Sequence, residues 1–275
     1  MQEQKKVYPS GHAPGKWMSY LLLLIAGIVF LSGLLASRSP AGNVSPLPTA
    51  TPFPLDESFD ETITAVEWTL PEVQWYALQL GAFEDEASAK DFAYQFQNRG
   101  AAGYLWQDQR YRVLAAVYPT EEDARSVREQ ISQRHEVDSY LFHIKLPPIA
   151  VSIQGMRGQI EILQAAFLHA DDLILSLQQL GIASDRSELS AEEMRLKLLT
   201  LRDQTSLVSL RMQQRFPLPR DPSVECLLTL LDDYAGFCDS IEDDLSSVSF
   251  GAQLKYQTIR SLNLLKQVYD ILGNT

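Results

Sequence analysis

A strand–helix–strand pattern occurs twice in the middle of the chain, 35 residues apart, and no other feature narrows the possible folds as much. Residues 75–83 (WYALQLGAF) alternate, with Tyr76, Leu78 and Leu80 on one side and Trp75, Ala77 and Gln79 on the other, as in a half-buried strand. Residues 84–99 then place Ala89, Phe92, Ala93 and Phe96 at helical spacing, and Gly100 ends the helix. A short strand at 103–107, a turn at 107–109 and a longer strand at 110–118 follow. Thr120 and Asp123 are spaced as a variant capping box, opening a second helix with Ala124, Val127 and Ile131 on its apolar stripe. Residues 139–145 supply the last strand. Leu78, Leu80, Gly81, Phe83, Ala89, Phe92 and Phe96 match Val113, Ala115, Ala116, Tyr118, Ala124, Val127 and Ile131. Repeating β-α-β in this way predicts a ferredoxin-like βαββαβ unit within an α+β chain.

In such a unit both helices cover one face of the sheet, and the other face is expected to stand open. Strand parity places Trp75, Gln79, Arg110 and Arg112 on it, with Tyr104 and Trp106 from the short strand. Aromatic rings offer flat apolar surfaces to sugars, while amide and guanidinium groups offer donors to hydroxyl, acetamido and carboxylate oxygens. The segments QLGAFEDEASAKDFAYQFQNRG and YRVLAAVYPTEEDA resemble the SPOR (sporulation-related repeat) domain, over about residues 73–146. That resemblance implies binding to peptidoglycan glycan strands stripped of stem peptides at the division septum. It implicates Gln79, Ala82, Arg110 and Arg112 as binding positions, to which the open face adds Trp75, Tyr104 and Trp106. The family's Gly-Pro-Phe after the third strand is Ala116-Val117-Tyr118 here.

The N-terminal part sets the expected location. Residues 17–37 hold no charged group, and as a helix they would span about 31 Å, the thickness of a bilayer core. Lys5, Lys6 and Lys16 precede the run, so residues 1–16 are expected in the cytoplasm and everything after Arg38 outside. The apolar run exceeds a signal-peptide core, which favours a retained single-pass anchor in a bacterial cell membrane. Pro40, Pro46, Pro48, Pro52 and Pro54 mark residues 38–65 as an extended acidic tether, leading into a small domain at 66–147.

Residues 148–275 read as four amphipathic helices forming an up-down bundle. The first seam runs Ile153, Met156, Ile160, Leu163, Phe167, Ala170, Ile174 and Leu177, with Gly181 as its expected stop. Ser190 with Glu193, and Asp221 with Pro222, signal two helix starts. Such a bundle suits an adaptor for a division or sporulation protein as well as a passive support. The formal net charge of −12 disfavours nucleic-acid binding. Neither a nucleophile elbow nor a phosphate loop occurs in the sequence, and His135, His143 and His169 lack metal-ligand spacing, so no catalysis, metal or cofactor is expected. His169 is expected on a solvated helix face beside Asp171 and Asp172. Cys226 and Cys238, twelve residues apart on one helix, are expected to stay unpaired.

Overall fold

The computed structural model describes residues 62–135, 137–241 and 248–274. The expected membrane segment and nearly all of the tether lie outside these residues, and no described helix is long and apolar enough to cross a membrane. The described elements are β1 (Ile63–Leu70), β2 (Val73–Phe83), α1 (Glu86–Gln97), β3 (Tyr104–Gln107), β4 (Tyr111–Tyr118), α2 (Glu121–His135), β5 (Tyr140–Leu146), β6 (Ile149–Met156), α3 (Arg157–Asp185), α4 (Ala191–Arg215), α5 (Pro222–Asp239) and α6 (Val248–Gly273).

Four strands form an antiparallel sheet in the order β3-β4-β2-β5, the arrangement that two interleaved β-α-β halves produce. The repeat explains its helical side. Leu78, Leu80, Val113, Ala115, Ala89 and Ala124 are buried in one cluster, with Phe92, Phe96, Val127 and Ile131 packed against it. Local chemistry sets the helix ends. Asp85 caps α1 by accepting a bond from the Ser88 N–H at 2.8 Å. Gly100 takes φ +88° just beyond α1, where the Ala101 N–H returns to the Phe96 carbonyl at 3.1 Å. Thr120 accepts from the Asp123 N–H at 3.1 Å at the start of α2.

The bundle follows the seams with two changes. Its first helix begins at Arg157, because residues 149–156 form β6, paired over eight residues with β1 in a separate two-stranded ribbon. Ile153 and Met156 therefore belong to a strand, and Ile63 to Ala65, expected in the tether, belong to another. Trp68 pins the ribbon to the bundle, its ring edge-on to Phe167 at 5.2 Å. Gly181 does not stop α3, which continues a full turn to Asp185. Ser190 and Glu193 form the expected capping box at α4, and Asp221 caps α5 through the Ser223 N–H. Helix α3 adjoins α4 and α6, and α5 adjoins the same two, as in an up-down bundle. Cys226 and Cys238 are both free.

His169 departs from the expected solvated face. It is partly buried, with Nε2 2.8 Å from the Thr205 hydroxyl oxygen. That hydroxyl donates its own proton to the Leu201 carbonyl at 2.7 Å, so the imidazole must donate from Nε2. Burial pushes its pKa down to about 4. Because the folded value lies below the unfolded one, the unfolded chain binds the proton first, and stability falls as pH drops from about 6.5 to about 4. Burial raises the carboxyls of Asp171 and Asp172, which shifts stability the opposite way on acidification. The comparison with His169→Gln, which keeps the donor to Thr205, isolates the imidazole. Unfolding free energies at pH 7 and pH 4, from denaturant titration, should differ less in the variant, by on the order of 1–3 kcal/mol.

Candidate functional site

The second face of the sheet divides into a covered part and an open end. On the covered part Trp75, Tyr104 and Trp106 are 4%, 9% and 2% exposed. They share one core cluster with Leu114, Val117, Ile144 and Leu146 of the sheet and with the inward seams of all four bundle helices. Helix α6 lies across this face. The Tyr256 ring meets Tyr104 edge-on at 5.0 Å, the Asn263 amide donates to the Tyr104 hydroxyl at 3.1 Å, and the Tyr269 hydroxyl donates to the Pro71 carbonyl at 2.8 Å. Lys255 donates to the Gly100 carbonyl at 2.9 Å and pairs with Asp185 at 2.6 Å, joining α6, the end of α1 and α3. The expectation that Trp75, Tyr104 and Trp106 are displayed to a ligand is thereby corrected. They are side chains of a core, because the bundle occupies the face they point from.

The open end carries the remaining sequence-derived candidates. Arg112 stands at its centre. Its Nη1 donates to Gln79 Oε1 at 2.8 Å, its Nε donates to Asp108 Oδ2 at 2.7 Å, and its guanidinium lies 4.6 Å from the centroid of the Phe142 ring. Strand pairing produces this cluster: Arg112 is opposite Trp106 on one side and Ala82 on the other, and Gln79 is opposite Leu114 and Tyr140. The β2–β4 register shifts twice between Leu78 and Gly81, so Gln79 and Ala82, three apart in sequence, both face this end. For Asp108, partial burial raises the carboxyl pKa, but the Arg110 backbone N–H and the Arg112 side chain outweigh it and hold the group below its ordinary value. It therefore stays charged and braces Arg112. Arg110 is exposed and pairs with Glu84 at 2.9 Å, one step further out.

Two contributors were not among the sequence-derived candidates. Tyr140 is 63% exposed beside Gln79, and Phe142 is half-buried beneath Arg112. Their signal lay in the alternation of β5, where Tyr140, Phe142 and Ile144 share the face of Ala77 and Trp75. The open end thus offers an exposed phenol ring, a guanidinium braced by a carboxylate, and an amide whose nitrogen keeps two donor protons. It suits a ligand with a flat apolar side and several oxygen acceptors. Among the described residues there is no group of His, Cys, Asp and Glu able to hold a metal ion.

Strand order, the paired helices on one side and the Gln79–Arg112 contact all fall within one segment, most of which a comparison with known families also matches. Residues 73–142 match the family model of the SPOR domain. No curated protein and no solved structure matches the chain. A SPOR domain is a binding domain, associated with peptidoglycan and cell division. In this chain it lends a large part of its sheet to the bundle and retains one end.

Proposed function

We propose that this protein binds peptidoglycan glycan strands at the division septum of a bacterial envelope, through the open end of the SPOR sheet. The observation that carries the reading is the Gln79–Arg112–Asp108 chain lying beside the exposed ring of Tyr140. A sugar ring stacked on Tyr140 places hydroxyl and acetamido oxygens within reach of the Gln79 amide and the Arg112 guanidinium. Ala82, opposite Arg112 on β2, adds little bulk there, and Arg110 extends the donor surface outward. The uncharged run at 17–37 fits a single-pass anchor with the SPOR domain and bundle outside the membrane.

Retention of the full chain on purified, stem-peptide-free glycan strands tests this. The double substitution Gln79→Ala with Arg112→Ala should weaken retention at least about tenfold, since hydrogen bonds to a charged group contribute roughly 1.5–3 kcal/mol each. Its melting temperature should stay within a few degrees of the parent, because the pair sits at the rim of the core. Unchanged retention would remove the site assignment. Wild-type chain that ignores the strands would remove the reading itself.

A second reading rests on the bundle surface. Leu168 on α3 and Leu196 and Leu210 on α4 are 64%, 66% and 51% exposed. Exposed leucines on α3 and α4 fit an adaptor for a division or sporulation protein, with the SPOR domain as its support. Leu196→Glu with Leu210→Glu should then abolish septal localisation of a fluorescent fusion while leaving retention on glycan strands intact.

A further inference from the structure

A cleft of about 720 Å³ opens where the end of α1 meets α5 and α6, away from Gln79 and Arg112. We infer that this cleft is a second binding site and that its ligand is an uncharged saccharide of a few rings. The volume falls within the roughly 300–1,000 Å³ of small-molecule sites, which often lie between structural units. The lining chemistry narrows the class. Among its described residues the one cation and the one acid neutralise each other: Arg260 Nε donates to both oxygens of Asp233, at 2.8 and 2.7 Å, and the Gln257 amide donates to the same carboxylate at 2.8 Å. A charged ligand would have to break that pair, whereas a neutral one leaves it intact. Asn98 and Gln253 are exposed on the walls, and each amide presents a donor and an acceptor, the combination that hydroxyl and acetamido groups match. Phe237 and Tyr256 are half-buried there and add aromatic surface. Tyr256 also touches Tyr104 of the sheet, so the site exists only while bundle and SPOR domain are joined.

Gly236 on α5 provides a plug, because a Cβ added there meets nothing within 4 Å. Saturation binding of a labelled tetramer of β-1,4-linked N-acetylglucosamine to the full chain should show two sites. Gly236→Leu should remove one of them, or weaken it at least tenfold, while Gly236→Ala, which gains the same helix propensity without filling the space, should keep both. Gln79→Ala with Arg112→Ala should remove the other site and leave the cleft occupied. A Gly236→Leu chain that binds as the parent does overturns the inference and leaves the sheet-end reading standing. One site that disappears with the Gln79 and Arg112 substitutions has the same meaning. One site that disappears with the plug alone supports the cleft and leaves the sheet end to the retention test on long glycan strands. No binding of the tetramer overturns the cleft, and retention on long glycan strands then decides the sheet end separately. Displacement of the tetramer from the cleft by an alanine tetrapeptide at lower concentration would assign the site to peptides and overturn the saccharide assignment.

Discussion

Residues 66–147 produced on their own are expected to collapse into a loosely packed state instead of folding as an independent domain. Cutting there strips the bundle from one face of the sheet and exposes Trp75, Tyr104, Trp106, Leu114, Val117, Ile144 and Leu146, all now buried. Burying a large apolar side chain stabilises by roughly 1.5–3 kcal/mol, so seven of them amount to on the order of 10–20 kcal/mol. A whole domain has a net stability of about 5–15 kcal/mol, so the loss is comparable to everything the fragment has. The fragment should keep far-ultraviolet dichroism, lose near-ultraviolet dichroism from its two core tryptophans and bind a hydrophobic dye. The chain with its bundle should melt in one transition, since one core cluster runs from the sheet through all four helices. A sharply melting, dye-negative fragment would show that the sheet face tolerates water. Localisation or binding experiments on such a fragment report on an altered surface unless its fold is verified first.

The same contrast explains what could be read from the residues alone. Period and punctuation are local, so the helices over the repeat, the box at Ser190 and Glu193 and the cap at Asp221 all follow from a few neighbouring side chains. Residues 149–156 have two local readings. Ile149, Val151 and Ile153 alternate as in a strand, yet Ile153 and Met156 also step into the heptad of α3. Pairing with β1, nearly ninety residues earlier, decides for the strand, and no window of a dozen residues contains that information. What covers a sheet face is likewise non-local. Parity shows that Trp75, Gln79 and Arg112 share a face but not that α6, over a hundred residues later, lies on it. One signal was present. Val113 to Tyr118 is apolar at every position, the pattern of a strand buried on both sides, and all six residues are buried. Gln79, Arg110 and Arg112 interrupt that pattern at the end the bundle leaves uncovered. Of the residues singled out by type, Gln79, Arg110 and Arg112 lie at the uncovered end of the sheet, while the aromatic ones went to the core. Aromatic rings serve a core and a sugar equally well, and only the covering element distinguishes the two uses.

Trp106 separates those uses experimentally. Its indole is 2% exposed, edge-on to Phe142 at 6.3 Å and opposite Arg112 on the neighbouring strand. Truncating a buried tryptophan to alanine removes its transfer energy and leaves a cavity, together about 3–5 kcal/mol. In the full chain Trp106→Ala should therefore lower the unfolding free energy from denaturant titration by that amount, and the midpoint with it, without changing the number of transitions. Trp106→Phe keeps part of the volume and should recover more than half of the loss. Were the indole instead a ligand platform, the order of effects would reverse: Trp106→Ala would leave stability nearly unchanged and weaken retention on glycan strands, as Tyr140→Ala is expected to do. Measuring the midpoint and the retention on the same three variants decides between them. A stable Trp106→Ala chain that has lost its glycan affinity would mean that the bundle lifts off this face when ligand arrives. The cost of that opening is set by the same side chains: exposing Trp75, Tyr104 and Trp106 together is worth roughly 5–9 kcal/mol, more than a weak sugar contact supplies. On the proposed reading, glycan therefore meets the closed arrangement, with Gln79, Arg112 and Tyr140 at the surface and the tryptophans inside.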